Sequence, residues 1–175
     1  MEQARPGRCP VCGAASRPPG RSLGVIGHGI RRRQLRGPDI VGGDATTIEI
    51  EARRYRCLGC KAVILVVPRG VVARRHFRAE AIAIALWLYG VVRLSAIAVH
   101  ARVVGYGEAG GRMRNLVRWL AAIAGGDLFS GAVRPWPKSF SRRQQAERAA
   151  RALEAAAPPG GSPEARLVLG AAQAA

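Results

Sequence analysis

Two Cys-x-x-Cys pairs, Cys9-Pro-Val-Cys12 and Cys57-Leu-Gly-Cys60, contain every cysteine of the chain. Gly13 follows the first pair and Gly59 sits inside the second. A tight turn of this kind aims two thiolates at one point, and two such turns supply the tetrahedral four-sulfur shell of a structural zinc ion. Iron in a rubredoxin-like site accepts the same turns. A redox pair of thioredoxin type would use one Cys-x-x-Cys at a helix start, not two. A disulfide framework needs an oxidising compartment. Residues 1–20 hold Arg5, Arg8 and Arg17 and no apolar core of seven or more residues. No secretory signal is therefore expected, and the thiols should stay reduced. The expected cofactor is one structural Zn2+ bound by Cys9, Cys12, Cys57 and Cys60. With four thiolates engaged, no coordination position is left for water, so the metal is expected to fold the chain rather than catalyse.

The sequence around the second pair has strand character. In Thr46 to Arg53, Ile48, Ile50 and Ala52 alternate with Glu49, Glu51 and Arg53, the period of a half-buried strand. The run continues through Tyr55 into the cysteine turn. Ala62 to Val67, β-branched and stopped by Pro68, reads as the returning strand. Residues 7–69 are thus expected to form a zinc ribbon. Its long connection, Arg17 to Gly43, contains Arg31, Arg32, Arg33 and Arg36, which suit either a solvated loop or a phosphate-contacting arm.

Helical composition begins near residue 71. Arg78 to Tyr89 is rich in Ala, Ile and Leu and ends at Gly90, Ser95 can cap a helix from Ala96 to about Val103, and Arg112 to Ala124 ends at Gly125-Gly126. Three helices with a short second one over residues 71–126 resemble a helix-turn-helix unit, although the turn after the second is long. On the third helix Met113, Leu116, Leu120 and Ile123 share one face, flanked by Trp119, while Arg114 and Arg118 point the opposite way with Asn115 to one side. Arginine can pair with guanine and asparagine with adenine in the major groove, so this face could read bases; it equally suits a solvated surface. The N-terminal end of such a helix lies closest to the bases, which favours Arg112 and Arg114 over Arg118. Arg74, Arg75 and Arg78 before and in the first helix are candidate phosphate contacts, and His28, His76 and His100 are read as structural or incidental. Residues 127–175 are expected to be a linker around Pro135-Trp-Pro137, a short helix begun by the Ser141-Arg-Arg-Gln144 capping box, and a disordered tail after Pro158. The fold class is α+β.

The chain of 175 residues carries 28 basic and 11 acidic residues, a formal charge of +17. That balance favours a polyanionic partner, nucleic acid above all. Ala79 to Val92 is too short for a bilayer and lacks a basic stripe, so no membrane association is expected. No Gly-rich phosphate loop is visible, the three aspartates fall in expected loops, and every cysteine is assigned to the metal. An enzymatic role and a small-molecule substrate are therefore not expected. Only nine aromatic residues are available to stack on unpaired bases, which counts modestly against RNA.

The Cys9, Cys12, Cys57 and Cys60 frame, the run Arg53-Arg-Tyr-Arg-Cys-Leu-Gly-Cys-Lys61, and the closing Val117-Arg-Trp-Leu120 together resemble the N-terminal zinc-ribbon and helix-turn-helix region of bacterial insertion-sequence transposases, in a short stand-alone form. The resemblance covers about residues 7–124. It implies binding to double-stranded DNA without strand transfer, because nothing here resembles the acidic-triad catalytic domain of those enzymes. It further implies a cytoplasmic, nucleoid-associated protein acting as accessory factor, regulator or remnant, with a separate transposase or other protein subunit as a possible partner. A protein–protein adaptor and an RNA-binding ribbon remain the alternatives.

Overall fold

Strand β2, Thr46–Cys57, is the centre of the β structure, with β1, Val25–Gly37, on one side and β3, Val63–Val66, on the other. The computed structural model describes residues 5–68, 70–72, 75–105 and 114–175. The chain divides into two compact units: residues 1–34 with 49–68, and residues 35–48 with 69–175. The backbone therefore passes from one unit to the other three times, twice within the β1–β2 pair.

In the first unit β2 and β3 run antiparallel, with Arg53, Arg54, Tyr55 and Arg56 opposite Val66, Leu65, Ile64 and Val63. Tyr55 and Ile64 are buried together with Cys9, Val25 and Cys57, while Val63 and Leu65 lie exposed beside the two flanking arginines. The returning strand forms where its β-branched run places it. The alternation expected at Ile48 does not hold: Ile48 is 40% exposed, and the inward positions are Ala52, Tyr55 and Cys57 in the second half of β2.

The expected loop between the cysteine turns is instead largely the 13-residue strand β1. Gly27, Gly29 and three successive arginines give it poor intrinsic strand character. Its hydrogen-bonded pairing with β2 overrides that local preference. Positions 27–32 are all exposed, so neither face of that stretch is covered.

The second unit is helical: α1, Ala79–Gly90; α2, Ala96–Val104; α3, Arg114–Ala124; α4, Arg142–Ala156; and α5, Pro163–Ala174. Helix α1 is apolar all round because it packs against each of the other four. Ser95 and Ser162 cap α2 and α5 by accepting from the backbone N–H groups of Ala98 and Ala165 at 3.1 and 3.2 Å. Ser141 and Gln144 form the expected capping box of α4. Trp119 of α3, expected only to flank the core stripe, is buried edge-on against Phe77 at 5.1 Å between ring centroids.

The C-terminal segment departs from expectation. Rather than a disordered tail after Pro158, Pro163–Ala174 is a helix started by Ser162 and by proline in its first turn. Helix α4 also has a face to bury: Ala146, Ala149, Ala150 and Leu153, at i, i+3, i+4 and i+7. Alanine is small enough for backbones to meet. Gly90 of α1 lies so close to α4 that a Cβ there would strike the backbone of Ala146 and Glu147, and a Cβ on Gly170 of α5 would strike the carbonyl of Leu153. Residues 127–175 belong to the same unit as the first three helices. A helix-turn-helix arrangement cannot be traced through residues 106–113, which lie outside the described residues.

Candidate functional site

Each cysteine pair folds by the same backbone pattern. In the first, the N–H of Gly13 donates to the carbonyl of Cys9 at 2.9 Å, and the N–H of Cys9 donates to Ala14 at 2.9 Å. In the second, Lys61 donates to Cys57 and Cys57 to Ala62, both at 3.0 Å. The residue after the second cysteine turns left-handed in both, with φ of +72° at Gly13 and +64° at Lys61. The turn position filled by Gly13 is therefore matched by Lys61, not by Gly59. Lysine there carries a backbone penalty, and its Nζ donates to the carbonyl of Leu58 at 2.7 Å within the same turn. The N–H of Leu58 donates to Gly24 at 2.8 Å, tying the second turn to the chain just before β1.

These turns bring four sulfurs together. All lie within 4.8 Å of one another, and the Cys9–Cys60 and Cys12–Cys57 pairs are each 3.7 Å apart. A tetrahedron with metal–sulfur bonds of about 2.3 Å has edges of about 3.8 Å, so the cluster has the dimensions of a four-thiolate metal site. Cys9 and Cys57 are buried and Cys12 and Cys60 exposed. Backbone N–H groups of Cys12 and Val11 draw the Cys9 thiol down to about 7, and those of Cys60 and Gly59 lower Cys57. At Cys60 the N–H of Ala62 also pulls down, but burial and the neighbouring thiols outweigh it and push the group up to about 11. Thiols this close disfavour the ionisation of all four together, a conflict that a bound dication would remove.

The expected DNA-contacting residues fall into three groups. Arg114 and Arg118 are exposed on α3 and Asn115 is half-buried beside them, on the side away from Leu116, Trp119, Leu120 and Ile123. Arg78 is the N-cap residue of α1; its side chain is only 15% exposed and its guanidinium meets Asp39 at 3.3 Å, so it is drawn into the fold rather than offered to solvent. Arg75 is half-buried and engaged in an interaction of its own. Arg74 and Arg112 lie outside the described residues. His100 is buried in α2, and His28 and His76 are exposed.

Two basic residues missed in the sequence lie beside α3. Lys138 and Arg142 join Val117, Leu120, Ala121 and Trp136 around a groove of about 460 Å³. Their separation from α3 in the chain hid this. Not every arginine is available: Arg143 stacks on Tyr89 at 4.7 Å, Arg93 pairs with Glu147 at 3.0 Å, and Glu154 holds Arg151 and Arg166 at 3.1 and 2.5 Å.

Comparison with protein-family models, with curated proteins and with solved structures finds no match for this chain. Among the described residues, no helix is long and apolar enough to cross a membrane. The four cysteines are also the only cluster of three or more His, Cys, Asp or Glu among those residues that could hold a metal ion.

Proposed function

We propose that this chain is a zinc-stabilised, non-catalytic protein that binds double-stranded DNA, of the type found at the N-terminus of insertion-sequence transposases. The observation that carries the reading is the outer face of α3. Arg114 and Arg118 stand exposed on a helix locked from behind by Leu116, Trp119, Leu120 and Ile123, a rigid mount for side chains that pair with bases or phosphates. Lys138 and Arg142 extend the same basic surface. The net charge of +17 supplies the long-range attraction. Zinc suits four thiolates at these separations, and as a closed site it holds the first unit together without taking part in chemistry. Such a protein works in the cytoplasm at the nucleoid, alone or beside a transposase subunit.

The test is selection from a random duplex library at near-physiological salt, followed by the Arg114→Glu, Arg118→Glu double variant. Enrichment of a motif that the variant no longer retains supports base reading by α3. Retention without a motif, or no retention, refutes it. Cobalt substitution tests the metal: tetrahedral four-thiolate absorption at one ion per chain is expected.

A second reading, a protein–protein adaptor, draws on an apolar groove of about 440 Å³ in the helical unit. Ile40, Val41, Val168 and Leu169 line it, and Ile40 is 61% exposed. Partner binding unaffected by the Arg114 and Arg118 reversals would favour it.

A further inference from the structure

We infer that the groove between α3 and the start of α4 holds one unpaired nucleotide of the bound DNA, with its base against Trp136 and its phosphate at Lys138 and Arg142. This rests on the DNA-binding reading above and gives that surface a preference for a duplex with an unpaired end. The groove lies within the helical unit and has a volume of about 460 Å³, in the range of small-ligand sites.

Its α3 wall is apolar where a surface meeting only phosphates would be polar. Val117, Ala121 and Ala124 are all exposed there, Val117 at 41%. Arg114 and Arg118 stand at i−7 and i−3 from Ala121, so they border this wall along the same side of the helix. Phosphates gain nothing from exposed valine and alanine. A base does, because its face sheds water against them.

The other wall supplies what a nucleotide needs besides. Trp136 is half-buried and offers an indole, on which any base can stack. Lys138 and Arg142 are exposed, and among the described residues no carboxylate holds either and no acidic residue lines the groove. Arg142 is the first residue of α4, so the positive end of that helix adds to its attraction for phosphate. Gln145 donates from Nε2 to the carbonyl of Phe140 at 2.8 Å, which leaves its Oε1 as an acceptor for the exocyclic amine of a base.

An indole set into a groove reaches only a base whose face is free, and a paired base keeps both faces in the stack. The nucleotide must therefore be unpaired. A free nucleotide offers the same chemistry, but the arginines bordering the groove favour one that continues into duplex.

The full-length, zinc-loaded protein is titrated with a labelled blunt duplex and with the same duplex carrying a short single-stranded overhang. The overhang is expected to tighten binding about tenfold, the gain from stacking one base, and abasic sites in the overhang should remove that gain. Both comparisons use the unaltered protein, so misfolding does not enter. Trp136→Leu should bring the ratio of overhang to blunt affinity close to one. Lys138→Gln with Arg142→Gln should reduce the salt slope on the overhang duplex by about 1.5. A 5-iodouracil in the overhang should photo-crosslink to Trp136. If neither duplex binds, the DNA-binding reading and this inference both fall. If the blunt duplex binds through Arg114 and Arg118 but the overhang adds nothing, or its abasic form binds as well, this inference alone is overturned. A mononucleotide that binds as tightly as the overhang duplex, or a crosslink outside the groove, also overturns it.

Discussion

Stripping a metal from the four cysteines should unfold the first, smaller unit and spare the second. The first unit buries Val25, Tyr55 and Ile64 besides two of its cysteines. At about 1.5–3 kcal/mol for each fully buried side chain, those three contribute roughly 5–9 kcal/mol. A four-thiolate zinc site contributes about 10–16 kcal/mol of folding energy, more than the whole apolar core of the unit. The second unit does not depend on it: its core runs from Val72 to Ala171 and draws on all five helices.

Chelation at neutral pH, or Cys57→Ser, is therefore expected to erase the β contribution to circular dichroism and the thermal transition of the first unit. Helical ellipticity at 222 nm and the transition of the second unit should persist. A chromogenic chelator should record one zinc released per chain when the thiols are modified. Cys12→Ser, although its sulfur is exposed, should lower metal affinity by more than the roughly 10–100-fold that loss of a mere supporting residue costs. A metal-free protein that keeps both transitions would refute the dependence on metal. Collapse of the helical signal together with the β signal would refute the independence of the second unit.

Four further outcomes follow from single positions. Gly170→Val places a branched side chain against the Leu153 carbonyl and should destabilise the helical unit by about 3 kcal/mol, lowering its Tm by roughly 10 °C in a thermal melt. Glu154→Gln leaves Arg166 without its carboxylate between α4 and α5 and should cost about 1–3 kcal/mol by urea unfolding. Gly13→Val forces a β-branched residue to φ +72° and should cost about 1–2 kcal/mol in the metal-bound first unit, whereas Gly13→Lys should be milder, as the natural Lys61 shows. Burial raises the Glu80 carboxyl above its usual 4.5, so the folded state holds that proton more tightly than the unfolded chain. Its contribution is present below the unfolded value and is lost as pH rises through the folded one. Glu80→Gln should flatten that part of the stability–pH curve.

The four-cysteine cluster was legible because its information is local. Two cysteines with two residues between them suit a tight turn, and two such pairs favour one arrangement that uses every sulfur. Lys61 shows the limit: Gly59 looked like the turn residue, yet hydrogen bonding from position 61 back to Cys57 fixes the left-handed residue one place beyond the pair. Strand β1 was illegible for the opposite reason. Glycines and consecutive arginines give no period-2 signal, and only β2, a distant segment, makes that stretch a strand. Helices α4 and α5 were hidden by composition. An alanine face scores weakly as a hydrophobic stripe, but Gly90 and Gly170 supply the matching flat surfaces, so close backbone approach replaces side-chain bulk.

Charge behaves differently from both. The excess of arginine is visible in composition, yet composition cannot say which guanidiniums the fold consumes. Arg78 looked like a phosphate contact and is held by Asp39, Arg143 is laid on Tyr89, and Arg151 and Arg166 share Glu154. Arg151 pairs locally with Glu154 on its own helix, but the partners of Arg78, Arg143 and Arg166 lie on a loop or another helix, so those pairings are decided by tertiary packing. Arg78, Arg143 and Arg166 are partly buried and Arg151 is exposed, yet each has its charge partly compensated, so these guanidiniums attract a polyanion less than uncompensated ones do. Other basic residues stay exposed, among them Arg114 and Arg118 on α3 with Lys138 and Arg142 beside it. On the proposed reading, the exposed cations on and beside α3 are the ones that give binding a defined place. Charge-neutralising variants at Arg114, Arg118, Lys138 and Arg142 should therefore weaken DNA binding far more than the same number made at Arg93, Arg143, Arg151 and Arg166, measured by salt-dependent titration. Equal losses from both sets would mean that net charge alone governs binding, and the site-specific reading would fall.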